Sequence, residues 1–229
     1  MGNKQKIFLY SAFTLLVAFG GYIYVNRHLP AFRKLQIARK DVALLTQKKE
    51  IREGDLIFQT SLSPQSKAIQ LATHSVYSHC GIIFKDSSNF YVLEAVQPVK
   101  KTPLDEWIAR GKDGHYVIKR LKNADQVLTR EALWNMKVLG EMFSGKKYDL
   151  FFDWSDDKIY CSELIWKIYQ RGAGTEIGKL QKLKDFDLSS PAVKQKMKER
   201  YGNNIPMDET VISPAAIFDS ELVETVKEN

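Results

Sequence analysis

Three residues of this chain have the types and settings for nucleophilic chemistry: His79, Glu94 and Cys161. Cys161 stands in the run Tyr160-Cys161-Ser162-Glu163-Leu164-Ile165-Trp166, and Cys161, Leu164, Ile165 and Ile168 recur at i, i+3, i+4 and i+7. That is the spacing of one helix face, so the thiol sits in a first turn and looks toward the packed side. A free thiol ionises near ~8.5, and a helix N-terminus with a nearby imidazole lowers this to give thiolate near neutral pH. The amide of Cys161 is placed to help hold an oxyanion. The plain alternative is a buried structural cysteine.

His79 lies in Tyr77-Ser78-His79-Cys80-Gly81-Ile82-Ile83-Phe84, a strand by its β-branched and aromatic content. Period 2 puts His79, Gly81 and Ile83 on one face and Cys80, Ile82 and Phe84 on the other. Cys80 therefore reads as a small core thiol, and a Cys80–Cys161 bridge is disfavoured if Cys161 faces His79. Glu94 interrupts the apolar strand Tyr91-Val92-Leu93-Glu94-Ala95-Val96, where an unpaired carboxylate is costly. The polar turn Lys85–Asn89 makes the two strands antiparallel neighbours. Glu94 is then expected across from His79, holding Nδ1–H and leaving Nε2 as the base. An edge glutamate facing solvent is the alternative.

The elements that must position these groups read as follows. Asp55–Gln59 is a strand after Glu53-Gly54. Ser63 is expected to cap a helix with Pro64 at its first position. Val76–Phe84 and Phe90–Val96 are strands, Thr102-Pro103 starts a helix ending at Gly111, and Tyr116–Leu121 is a strand. Thr129 caps a helix spaced by Leu133, Met136, Leu139, Met142 and Phe143 and stopped by Gly145. Tyr160–Tyr169 is helical, ending at Arg171-Gly172. Ser190-Pro191 and Ser213-Pro214 begin two more helices, and Leu183–Asp187 is expected to cap the first of these. Strands cluster early and helices late, an α+β pattern.

Gly54-Asp55-Leu56-Ile57-Phe58, Ser78-His79-Cys80-Gly81-Ile82, Leu93-Glu94-Ala95, Tyr148-Asp149 and Tyr160-Cys161-Ser162-Glu163-Leu164 follow one another in the order of a known family. Over about residues 51–225 the chain resembles the YiiX/YebB-like branch of the NlpC-type cysteine hydrolases, which have a circularly permuted papain-like fold. The permutation places the histidine before the cysteine, as His79 precedes Cys161 here. Cys80 stands where that branch more usually has an apolar residue. The resemblance implies an antiparallel sheet packed against helices, with Cys161 as nucleophile, His79 as general base and then acid, and Glu94 as the group orienting His79. It implies acyl transfer through a thioester resolved by water, on a peptide or lipid-linked substrate, with no cofactor and no metal. Tyr148, Asp149 and Tyr160 match positions that line the family's site; aromatic packing and helix capping explain them as well. An amidase or peptidase acting on a peptidoglycan-type peptide is the leading expectation. A lipid acyltransferase or esterase is the second, because lecithin retinol acyltransferase resembles the same permuted fold, although its pattern has a second histidine where this chain has Glu94. A membrane-anchored binding domain with a vestigial site is the third.

The 229 residues carry a formal charge of +7, with a pI near 9.2. Residues 1–50 hold nine basic and two acidic side chains, which is the whole surplus; the rest of the chain is balanced. A nucleic-acid enzyme usually carries its basic footprint on the folded domain, so that class is disfavoured. With 44% hydrophobic and 27% charged residues the chain is globular, and two cysteines are too few for a disulfide scaffold or a structural zinc site. Residues 7–25 (IFLYSAFTLLVAFGGYIYV) carry no charge and are just long enough to cross a bilayer core of ~30 Å. They are expected to be a retained transmembrane helix after a tail at 1–6, with a cleavable signal peptide as the rival. Residues 26–50 are expected to be a basic amphipathic linker helix, either collared against anionic headgroups or simply solvated. The catalytic domain, 51–229, is placed at the membrane on the extracytoplasmic side. Signal-anchor habit exports it, although a count of flanking charges would hold it in the cytoplasm.

Overall fold

Strands buried at nearly every position through the middle of the chain close into one sheet with helices on both faces. The computed structural model describes residues 29–229; the expected tail at 1–6 and span at 7–25 lie outside the described residues. Among the described residues, no helix is long and apolar enough to cross a membrane.

A helix at 29–47, α1, leads into β1 (Leu56–Gln59). Then come α2 (Ser66–Thr73), β2 (His79–Asp86), β3 (Asn89–Glu94), β4 (Lys100–Pro103), α3 (Leu104–Arg110) and β5 (Val117–Leu121). The second half holds α4 (Ala124–Val127), α5 (Arg130–Phe143), β6 (Lys147–Tyr148), β7 (Lys158–Ile159), α6 (Cys161–Ala173), β8 (Gln181–Lys182), α7 (Pro191–Tyr201), β9 (Thr210–Val211), α8 (Pro214–Phe218) and β10 (Val223–Glu228). The main sheet is antiparallel with order β10-β5-β1-β2-β3-β4. Leu56, Phe58, Cys80, Ile82, Phe84 and Leu93 pack against α5 and α6 on one face. Ile57, Ile83, Val92 and Ile118 meet α1 and α3 on the other. Each such fully buried side chain contributes about 1.5–3 kcal/mol over leaving it in water.

Several expectations shift. Ser63-Pro64 forms a turn, with Ser66 N–H donating to the Ser63 carbonyl, and the helix starts at Ser66 instead. The β2–β3 turn is tighter than expected, since Asp86 already pairs with Asn89. Helix α6 runs through Arg171-Gly172: a Cβ at Gly172 would lie 2.6 Å from Met136 on α5, so this glycine serves close packing. Gly174, at φ 62°, ends the helix. Caps at Thr129, Ser190 and Ser213 do accept from the N–H three residues on. The edge strand β10 had no sequence signal.

The helix expected as a linker is packed onto the sheet. Ala38 and Leu45 are buried in the second core, Tyr116 Oη donates to Asp41 at 2.5 Å, and Arg39 pairs with Asp105 at 3.1 Å. Phe32, Ile37 and Leu44 face outward, with Arg33 and Lys40 also exposed.

Candidate active site

The site forms where the N-terminus of α6 abuts the first residues of β2. Helix α6 is buried along nearly its whole length, from Cys161 to Tyr169, which fixes the height of its first turn above the sheet. Glu163 secures that turn by accepting from the Tyr160 N–H at 3.3 Å. Its other oxygen lies 2.7 Å from Lys167 Nζ, a charge contact without the angle of a directed hydrogen bond.

His79 opens β2. Its Nε2 lies 2.6 Å from Glu94 Oε2, and the Cys161 sulfur is its other polar neighbour, close enough to raise its pKa. Nδ1 is therefore the nitrogen left for Cys161, which reverses the expected orientation: the carboxylate holds Nε2, and Nδ1 is the nitrogen free to exchange a proton. The register explains this. Ile82 pairs with Leu93, so Glu94 lies one diagonal step inward from the position opposite His79 rather than directly across. Gly81 sits between them on the same face, where a Cβ would lie 2.3 Å from Val92 Cγ1 and 2.9 Å from the Leu93 carbonyl. Only glycine lets β2 and β3 approach so closely there.

Glu94 has no measurable exposure, and four donors converge on it. Besides His79 these are Thr102 Oγ1 at 2.6 Å, Trp107 Nε1 at 3.0 Å and Arg110 Nη2 at 2.5 Å. Burial works to raise its pKa, but His79 and Arg110 outweigh burial and hold it at about 2. Trp107 also stacks on the imidazole, with ring centroids 5.8 Å apart and planes at 24°, which screens the pair from water. Burial alone would lower the His79 pKa; contact with Cys161 and Glu94 overrides it and lifts it to about 9.

Strand parity does put Cys80 on the opposite face from His79, but that face is the one α6 covers. Cys161 consequently touches both. Its sulfur lies beside the Cys80 thiol and backbone, and His79 neighbours it at the strand end, where pairing with β3 has not begun. The Cys80 thiol is the largest influence lowering the Cys161 pKa, burial opposes it, and His79 adds to the lowering. Burial and the neighbouring sulfur push Cys80 well up. Both cysteines are free thiols. The lowered Cys161 thiol and the raised His79 imidazole favour a thiolate–imidazolium pair with a carboxylate behind it, which is the equipment for nucleophilic attack and proton return.

Tyr148 and Tyr160 both reach the space beside Cys161. Tyr148 Oη accepts from Gln65 at 2.9 Å, and Tyr160 Oη accepts from the Ile212 N–H at 3.0 Å. Asp149 lines neither cavity at the site; its carboxylate accepts from the Phe151 N–H at 2.8 Å and holds that turn. Leu183 and Phe186 edge the cavity rather than cap α7, whose cap is Ser190. Thr102, Trp107 and Arg110 were missed from sequence. The signal was the i, i+3 spacing of Trp107 and Arg110, which points both along one side of α3.

Residues 50–227 match the family described as permuted papain-like amidase enzymes of the YaeF/YiiX type, family C92. The chain belongs to this family. It is 53% identical over 173 residues to the uncharacterized protein YiiX of Escherichia coli K12, covering 76% of this chain and 84% of that protein. The crystal structure of "metalloprotein yiiX" from Escherichia coli O157:H7 superposes with a TM-score of 0.75 at 50% identity, covering 79% of this chain and 98% of that one. The permuted papain-like α+β fold and a cysteine amidase type of enzyme are thereby shown. Among the described residues no group of three or more His, Cys, Asp and Glu side chains could hold a metal ion, and His79 and Glu94 are engaged with each other.

Proposed function

We propose that this protein is a membrane-held cysteine amidase that cleaves an amide through a thioester on Cys161. The observation that carries this reading is the placement of His79 between the Cys161 sulfur and Glu94. Cys161 Sγ attacks the amide carbon, and the Cys161 N–H at the start of α6 helps hold the oxyanion. Nδ1–H of His79 gives its proton to the departing nitrogen, and the C–N bond breaks. Nδ1 then takes a proton from water, which attacks the thioester and releases the acid, restoring the Cys161 thiolate beside the protonated His79. Glu94 keeps the proton on Nε2 throughout.

A peptidoglycan-type peptide suits the cleft beside His79, because Arg200 in its wall, which has no acidic partner among the described residues and donates to Gln65, would receive a peptide carboxylate. A second reading, a lipid-type acyl substrate, is favoured by the apolar cavity beside Cys161. For the membrane, the support is the uncharged stretch at 7–25 and the outward apolar and basic side chains of α1. Alkaline carbonate should leave the full chain in the membrane pellet; its release would remove the anchor.

For the nucleophile, iodoacetamide should label Cys161 faster than Cys80, and His79→Ala should slow that labelling at least about tenfold. Equal labelling of both thiols, indifferent to His79, overturns the catalytic reading. Incubating wild type and Cys161→Ser with muropeptides and with phospholipids, followed by mass spectrometry, separates the two substrate readings.

A further inference from the structure

An oxyanion takes more than one donor, and the Cys161 N–H supplies one. A second has to stand where the scissile group touches both Cys161 and His79. Cys161 lies in the wall of one cavity and His79 in the wall of the other, and Gln65, Tyr148, Lys196 and Arg200 border both. Tyr160 borders the first alone, and Lys196 is paired with Glu199 at 2.5 Å. The remaining three, brought together from distant parts of the chain, form a line. Arg200 Nη2 donates to Gln65 Oε1 at 2.7 Å, and Gln65 Nε2 donates to Tyr148 Oη at 2.9 Å.

The direction of this line follows from the chemistry of its ends. A guanidinium only donates, so the carboxamide has to present its oxygen to Arg200 and its N–H to the phenol. Tyr148 Oη is thereby an acceptor toward Gln65, and its own hydrogen must point elsewhere. Among the described residues nothing accepts that hydrogen. Burial and the nearby Cys161 sulfur push the Tyr148 pKa well above its usual value, so the phenol keeps it. Gln65 stands at the N-cap of α2 yet makes no capping bond, which leaves its side chain for Tyr148. Arg200, in the last turn of α7, is steadied in turn by the Phe152 ring, 4.8 Å from the guanidinium to the centroid.

Resting on the amidase reading, we propose that Gln65, oriented by Arg200, is a positioning residue. It occupies the accepting side of Tyr148 Oη, so that the phenolic hydrogen is aimed at the carbonyl oxygen of the substrate. Tyr148 then shares the oxyanion with the Cys161 N–H. As Sγ bonds to the carbonyl carbon, the C=O π pair moves onto oxygen; it returns as the C–N bond breaks, and the nitrogen leaves with the proton from His79. No proton leaves Tyr148.

Two reagents applied to the full chain separate positioning from packing. Acylation of Cys161 by p-nitrophenyl acetate passes through an oxyanion as Sγ displaces p-nitrophenolate. Alkylation by iodoacetamide displaces iodide at a saturated carbon and forms no oxyanion. The ratio of the two rates, followed on the Cys161 peptide by mass spectrometry, reads the oxyanion donors and cancels changes in thiolate. Tyr148→Phe should lower it about a hundredfold. Gln65→Glu keeps the shape and the pairing with Arg200 but turns an acceptor toward Tyr148, which diverts the phenolic hydrogen; the ratio should fall at least about tenfold. Gln65→Leu loses both bonds yet leaves the hydroxyl free to turn, and should cost no more than about threefold. A side chain that merely packs predicts the opposite order, with the isosteric Glu the milder change. In a Tyr148→Phe background the loss from Gln65→Glu should vanish, because it acts through the hydroxyl. Leu as harmful as Glu, an unchanged ratio in Tyr148→Phe or Gln65→Glu, or a Glu effect that persists without the hydroxyl overturns the positioning role and leaves the amidase reading standing. If wild-type Cys161 takes no acetyl group from the ester, the amidase reading fails and this role falls with it.

Discussion

Glu94 and Glu163 are the same side chain, both without measurable exposure, yet burial prevails at one and not at the other. Burial lifts Glu163 to about 8, with Asp149 adding to the rise against a single lysine, Lys167. Glu94, with His79, Arg110, Trp107 and Thr102 around it, stays at about 2. The difference lies in the number and charge of the donors each carboxylate meets, not in depth. A carboxylate that must steady an imidazolium has to be charged at every working pH, and four donors ensure that. A carboxylate that only ties down a helix turn can share a proton with its surroundings.

The sharpest way to break this comparison is Glu94→Gln. It leaves His79 without its anionic partner and Arg110 beside a neutral group. Amidase kcat/KM should fall by about 10³ or more, as when the orienting acid of a triad is neutralised. Wild-type activity should decline above about pH 9, where His79 loses the proton it gives to the leaving group, and in the variant this limb should move to lower pH. Unchanged kcat/KM and an unmoved limb would show that Glu94 does not orient the base.

Next in size are opposite pH dependences of stability, read from urea midpoints. Glu94 has a folded pKa below the ordinary 4.5, so its stabilisation is complete above that value and is lost as pH falls through about 2, a span of roughly 3 kcal/mol. Glu163 is raised, so its contribution is complete below about 4.5 and declines as pH rises through about 8. Glu163→Gln should remove the decline that begins above about 4.5, leaving the one His79 adds between about 6.5 and 9, and should reduce kcat/KM less than about tenfold, because the amide resembles the protonated acid. A decline between about pH 4.5 and 6.5 that survives Glu163→Gln would assign it to another group. The smallest effect expected is that of Trp107→Phe, which removes one of four donors and keeps an aromatic cover. It should cost about 1–2 kcal/mol of stability and a few-fold in kcat/KM.

The placement of the candidate residues was legible where the signal was local. Cys161 could be placed in a helix's first turn because Leu164, Ile165 and Ile168 repeat its face within two turns. His79 and Glu94 could be put on neighbouring strands because only a short polar turn separates them. What failed depended on register or on distant chain. One diagonal step between β2 and β3 decides which imidazole nitrogen Glu94 takes, and no pattern within either strand encodes that step. Arg110 and Trp107 reach Glu94 from α3, whose placement against the sheet depends on packing. Cys80 looked remote because parity gave its face, but not which face α6 would cover.

Arg110 gives the site a property that none of its neighbours supplies alone. Cys161 and Glu94 as anions, His79 and Arg110 as cations, make two of each sign, summing to zero. In the proposed cycle the charge of the thiolate passes to the oxyanion while the imidazolium remains. When the amine leaves with its proton, acyl sulfur and neutral imidazole remain, and Glu94 with Arg110 still cancel. The same holds in reverse as water attacks. Charge is relayed along a line and never accumulates, so the buried Cys161, His79 and Glu94 need not host an uncompensated ion at any stage.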